Sequence, residues 1–215
     1  MHKENDGGMG SSPTRGYGVL ESFLARQRCR VANKLIPERL KDGRVLDIGC
    51  SAHPLFLLNT AFSEKYGLDK MIGEAHVGKY SAQNIVLTQG DFEAQRGLPF
   101  EDKMFEAVTM LAVFEHIEPE DLVRLMSEIR RVLKPGGIFV MTTPAFWTDL
   151  ILKVMSFLRL VSPDEIDEHK DAYDFRTIEQ ILVEGGFDKA DIKLGTFELG
   201  MNIWATAFKG QAAGQ

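Results

Sequence analysis

The chain is sparing with cysteine. Cys29 and Cys50 are the only two in 215 residues, too few for a disulfide framework or a cysteine-built metal cluster. The histidines and cysteines are not spaced as metal ligands either. Positive charge is not in excess. Lys and Arg number 25 against 31 Asp and Glu, a net charge of −6, which removes the basic footprint expected of a nucleic-acid binder. No stretch supplies the roughly 20 mostly apolar residues that a membrane span needs, and no signal-peptide pattern marks the N-terminus. The expectation is a reducing, cytoplasmic setting. What remains is the composition of an ordinary globular domain, 44% hydrophobic and 26% charged, at a length that fits one domain with a large core.

Residues 1–16 are rich in Gly, Ser and charge with no apolar period, and are expected to be disordered. A single domain is expected over 17–210. Its N-terminal helical element, 17–43, opens with a helix over Tyr17–Ile36. There Leu20, Phe23, Leu24, Val31 and Leu35 recur at helical spacing, and Pro37 ends the run. The other face carries Arg26, Arg28, Arg30 and Lys34. It reads as a solvated face, with contact to an acidic substrate or an anionic surface as the sharper alternative.

Strands and helices then alternate. Strands are expected at Arg44–Ile48, Lys65–Leu68, Ile85–Gln89, Ala107–Leu111 and Ile138–Thr143. Helices are expected at Leu55–Ser63, Pro119–Leu133 and Phe175–Glu184, with Pro135-Gly136-Gly137 stopping the second. A last pair of strands, Asp191–Phe197 and Asn202–Lys209, has too short a link for a parallel crossover and must pair antiparallel. This order predicts an α/β fold with a doubly wound, mostly parallel sheet and helices on both faces.

The stretch Arg44 to Pro54, R-V-L-D-I-G-C-S-A-H-P, carries the most chemistry. A buried-strand run ends in Asp47-Ile48-Gly49, which places a tight turn at the carboxyl end of a parallel strand, where open α/β sheets bind ligands. An acidic residue, Asp69, closes the second strand. Either a nicotinamide dinucleotide or another adenosine cofactor can use a carboxylate there. The dinucleotide fingerprint G-x-G-x-x-G is not met, because Ser51 and Pro54 stand at its second and third glycines.

With four further segments in order, V-L-D-I-G-C resembles motif I of the class I S-adenosylmethionine-dependent methyltransferases. The segments are Tyr66-Gly67-Leu68-Asp69, Gln89-Gly90-Asp91-Phe92, Phe105-Glu106-Ala107-Val108 leading to Phe114-Glu115-His116-Ile117, and Leu133-Lys134-Pro135-Gly136-Gly137. In style they are similar to the small-molecule ubiquinone and menaquinone methyltransferases, most strongly over Val45 to Pro144. The resemblance implies a Rossmann-like seven-stranded sheet whose last strand runs backward.

It also implies that S-adenosylmethionine is the cofactor and S-adenosylhomocysteine the product. Asp47, Gly49, Cys50 and Ser51 would surround its amino-acid end. Asp69, with Lys70 beside it, would accept the ribose hydroxyls, and Asp91 and Phe92 would hold the adenine. Leu111 would pack against the adenine or the sulfonium. The family has glycines where this chain has Ser51 and His53. Glu115-His116 is similar to the pair of the quinone-type enzymes, with His116 the candidate base for a hydroxyl acceptor; a structural histidine capping the next helix is the plainer alternative. No metal is implied. The function expected is methyl transfer to a small, apolar acceptor, oxygen favoured, with a non-catalytic cofactor-binding module as the alternative.

Residues 144–174 are expected to form a lid-like insertion. Their stretch 145–161 is apolar except for Asp149, Lys153 and Ser156. It is expected to pack on the core, to cover an apolar substrate, or to touch a membrane peripherally. Phe146, Trp147, His169 and Tyr173 are its candidate substrate contacts. Nucleic acid is not an expected partner, since Leu111-Ala112-Val113-Phe114 stands where an N-P-P-Y-type tetrapeptide would.

Overall fold

A computed structural model describes residues 19–92, 97–145 and 173–211. The candidates Phe146, Trp147 and His169, and all of 145–161 except Ala145, lie outside the described residues.

Seven strands form one sheet: β1 (Arg44–Ile48), β2 (Glu64–Asp69), β3 (Ile85–Gln89), β4 (Phe105–Leu111), β5 (Leu133–Pro144), β6 (Ile192–Phe197) and β7 (Asn202–Phe208). Their spatial order is β3-β2-β1-β4-β5-β7-β6. The first five are parallel, and β7 runs antiparallel between β5 and β6. The doubly wound sheet with a reversed last strand is therefore observed. The chain leaves β1 in one direction to β2 and β3, and later returns on its other side to β4. That reversal opens a crevice at the carboxyl ends of β1 and β4.

The two faces of the sheet carry two cores. On one, Leu46, Val108, Phe139 and Met141 meet helix α3 (Pro119–Val132) and helix α4 (Phe175–Glu184). Helix α3 forms because Leu122, Leu125, Met126, Ile129 and Val132 fall on one buried stripe. Pro119 occupies its first turn, with Glu120 and Asp121 at the positive end and Arg130 and Arg131 at the negative end. Each of the buried side chains stabilises by about 1.5–3 kcal/mol relative to exposure.

The helix stops at Val132, earlier than Pro135-Gly136-Gly137 alone predicts, because Leu133 already pairs with Phe105 in the sheet. Its last carbonyls are taken over by Lys209, whose Nζ donates to the oxygens of Arg130 at 2.6 Å and Leu133 at 2.7 Å. The three residues instead belong to β5, at the irregular pairing with β4. There a Cβ on Gly137 would lie 2.9 Å from the Lys134 carbonyl.

On the other face, helix α1 (Val19–Leu35) and the single-turn helix α2 (Leu55–Leu58) cover Val45, Ala107, Ile138 and Val140. Two expectations are corrected here. The α1 face that reaches the sheet is Cys29, Ala32 and then Ile36, while Phe23 is exposed. Small residues let the helix lie closer than the leucine stripe would. Helix α2 ends at Leu58 rather than Ser63, because α1 ties it off. Asn33 donates to the Asn59 carbonyl and accepts from Thr60, and the Asn59 amide turns back to the Leu55 carbonyl.

Candidate active site

Side chains and turns converge along the carboxyl edge. After β1, Gly49 adopts φ +77°. A Cβ there would come within 2.2 Å of Val113 Cγ2, from the turn after β4, so both conformation and space require glycine. Ser51, where the family has a glycine, also takes a positive φ of 61°. The serine keeps the left-handed backbone that glycine would supply, and His53 sits exposed beside it, its Nδ1 3.3 Å from the Tyr80 hydroxyl.

Asp69 ends β2, and both of its oxygens are held. Oδ2 accepts from the Ser51 N–H at 2.8 Å and Oδ1 from the Met71 N–H at 2.7 Å. A carboxylate has about four lone-pair sites, so two remain. Lys70 is exposed next to it. Asp91 and Phe92 follow β3, both partly buried, and Phe92 packs on the α3-side core. Leu111, at the end of β4, is partly buried against the α1-side core.

Asp47 is 4% exposed, and its Oδ1 accepts from Thr109 Oγ1 at 2.7 Å. Burial, helped by the nearby Asp69 charge, pushes its pKa up to about 7, against the opposing Thr109 hydrogen bond. The Cys50 thiol is buried in the α1-side core against Gly67, and burial raises its pKa above the ordinary thiol range.

The turn after β4 starts at Ala112, also at positive φ. Glu115 is 3% exposed and accepts from Thr143 Oγ1 at 3.1 Å. Burial raises its carboxyl pKa, partly offset by the His116 and Arg28 charges. His116 is exposed on the same turn, two residues before Glu118, which occupies the α3 cap position. Tyr173 is 2% exposed, its hydroxyl donates to the Ile117 carbonyl at 3.1 Å, and its ring stands edge-on to Phe114 with centroids 4.9 Å apart. It anchors the turn.

Sequence patterns missed four residues at this edge. Arg28 is half-buried, not part of a solvated face, and its charge acts on the Glu115 and Glu198 carboxyls. Glu198 begins the β6–β7 turn, and Asn202 Nδ2 donates to its Oε2 at 2.6 Å. Thr142 lies on the same sheet face as Asn202. The available signal was polar residues at the ends of otherwise apolar strands. A cavity of about 450 Å³ lined by Lys103, Arg130 and Lys209 opens at the opposite edge and shares no residue with this one. Among the described residues no group of His, Cys, Asp and Glu is placed to hold a metal ion, and no helix is long and apolar enough to cross a membrane.

Comparison with known proteins agrees with this geometry. A family model described as a methyltransferase domain matches residues 46–141. The demethylmenaquinone methyltransferase of Staphylococcus haemolyticus is 30% identical, over 90% of this chain and 89% of that protein. A sterol 4-C-methyltransferase of Caenorhabditis elegans is 32% identical over 56% of this chain, which spans 36% of the sterol enzyme's length. The solved SAM-dependent methyltransferase of Archaeoglobus fulgidus superposes with a TM-score of 0.59 at 21% identity, covering 88% of this chain and 94% of that one. The chain belongs to the class I S-adenosylmethionine-dependent methyltransferases, and S-adenosylmethionine is its methyl donor.

Proposed function

We propose that this methyltransferase acts on a small molecule with an apolar body and transfers the methyl group to oxygen. S-adenosylmethionine, when bound, supplies a methyl group already activated on a sulfonium. The chain's own residues position the acceptor, exclude water and take one proton. In the reading proposed, Asp69 accepts the ribose hydroxyls with Lys70 at its side. Gly49 and Ser51 line the amino-acid end, Asp47 lies beneath them, and Asp91, Phe92 and Leu111 flank the adenine. The residues fit such a ligand. Asp69 is oriented by two backbone N–H groups with lone pairs to spare, and Gly49 at positive φ holds the turn after β1 tight against Val113 of the turn after β4. The preorientation of Asp69 is the observation that carries the site assignment.

Of the Glu115–His116 pair, Glu115 is the better placed base. Its carboxyl is buried, and burial raises its pKa, as suits a proton acceptor. The acceptor oxygen forms its new C–O bond as the S–C bond breaks, and the hydroxyl proton passes to Glu115. The acceptor's apolar character is supported by the similarity to an enzyme named for demethylmenaquinone.

The test is calorimetric titration of S-adenosylmethionine and S-adenosylhomocysteine into Asp69→Ala and Asp91→Ala. Each is expected to bind at least 10-fold more weakly with an unchanged circular-dichroism spectrum. Unchanged affinity in both variants refutes the site assignment.

A further inference from the structure

Among the described residues, four buried side-chain polar atoms have no hydrogen-bond partner: Arg28 Nε, Thr142 Oγ1, Glu198 Oε1 and Asn202 Oδ1. Native interiors leave few such atoms, and each calls for an explanation. These four are not scattered. Asn202 pairs with Pro144 at the end of β5, and Thr142 lies two residues earlier on the same face. Asn202 is bonded to Glu198, and the Arg28 guanidinium acts on Glu198 and on Glu115. All belong to the carboxyl edge, beside the turn that holds the candidate base.

The turn above them is unusual. Glu198, Leu199 and Gly200 take positive φ at three successive positions, and Leu199 is 98% exposed. Non-glycine residues hold that conformation only where the surroundings impose it, and such residues gather at ligand clamps. The turn directs Glu198 inward and Leu199 outward.

The unpaired atoms specify a ligand. With Glu198 ionised, its Oε1 and Asn202 Oδ1 accept only, so the ligand must bring two donors. Arg28 Nε–H donates only, so the ligand must also accept. Thr142 can do either. A carboxylate or phosphate has no donors and would face two carboxyl groups. A quaternary ammonium has neither donor nor acceptor. Two neighbouring hydroxyls satisfy all four atoms. Resting on the methyltransferase reading above, we propose that Arg28, Thr142, Glu198 and Asn202 form the specificity pocket for an acceptor head group bearing two adjacent hydroxyls, with the Glu198–Gly200 turn as its wall.

The experiment titrates the full chain by calorimetry, with and without S-adenosylhomocysteine. The probes are catechol as an aromatic diol, glycerol as an aliphatic one, and guaiacol and veratrole as the mono- and dimethyl ethers of catechol. At least one diol is expected to bind. If it is catechol, guaiacol should bind at least 10-fold more weakly and veratrole not at all. Thr142→Val and Glu198→Gln should each weaken the diol at least 10-fold and leave S-adenosylhomocysteine affinity unchanged. Thr142→Val should also melt no lower than the parent, because it removes an unsatisfied buried hydroxyl, whereas a hydroxyl with a structural role would lower the melting point when lost. Diol binding without any S-adenosylhomocysteine binding would keep the pocket and reject the cofactor site. No diol binding in either state, veratrole binding as tightly as catechol, or variants that bind the diol like the parent would each overturn the pocket.

Discussion

The two edges of the sheet treat polar groups in opposite ways. At the amino edge the charged side chains of Arg131 and Glu106 are answered. Arg131 donates to the carbonyls of Leu98 and Phe100 and to the carboxylates of Asp102 and Glu128. Glu106 accepts from the Arg44 backbone and from Lys134. At the carboxyl edge, the acids Asp47 and Glu115 are buried with raised pKa values, and four polar atoms wait unpaired. At one edge Arg131 and Glu106 find their partners within the chain. The other holds capacity in reserve, as a ligand site must.

The hardest test of the carboxyl edge is Gly49→Ala. It forces an L side chain into positive φ and against Val113. The expected cost is about 2–4 kcal/mol of stability from strain and overpacking together, with at least a 10-fold loss of S-adenosylmethionine affinity. Urea midpoints and calorimetry read the two effects.

Next comes pH. Folding raises the Asp47 pKa from an ordinary 3.8 to about 7, so between those values the folded state holds more protons than the unfolded one. This group's contribution is most favourable below about pH 4. It declines as pH rises to about 7 and then levels off, a change of a few kcal/mol. Asp47→Asn, which keeps an oxygen for Thr109, should remove that slope from unfolding curves measured between pH 5 and pH 8.

At the amino edge, Arg131→Ala should cost about 2–3 kcal/mol through lost charged hydrogen bonds, yet leave cofactor affinity unchanged. A parallel fall in affinity would break the contrast between the edges. The smallest effect is expected from Ser51→Gly. Relief of the left-handed strain and the greater freedom of the unfolded chain nearly cancel, so the melting point should move by only a degree or two, about 0.5 kcal/mol or less.

Local patterns announced much of this. The expected limits of β3 and α4 match the structure to the residue, because each is bounded by its own turn and capping residues. Where the chain is shaped by partners far along it, the sequence is silent. Helix α2 is cut short by Asn33 on α1. Arg28 looked like one of four solvated cations, and only the turn at Glu198 gives it a role. Tyr173 read as a mouth residue, yet its ring and hydroxyl are spent on Phe114 and Ile117. The residues proposed for the cofactor half could be picked out in the sequence because each sits at the end of its own strand. The residues proposed for the acceptor half were not, because they come from α1, β5, β7 and a hairpin turn and meet only in three dimensions.

The position of β7 has a consequence for biosynthesis. It is the last strand of the sheet in the chain, yet it lies between β5 and β6. Until it leaves the ribosome, β5 presents a bare hydrogen-bonding flank and β6 has no neighbour. A nascent chain stalled before Asn202 would carry the strands of the cofactor half complete beside an open, sticky edge. Emergence of Asn202–Phe208, rather than growth of the first strands, is then the moment at which the sheet closes and the proposed acceptor pocket comes into being.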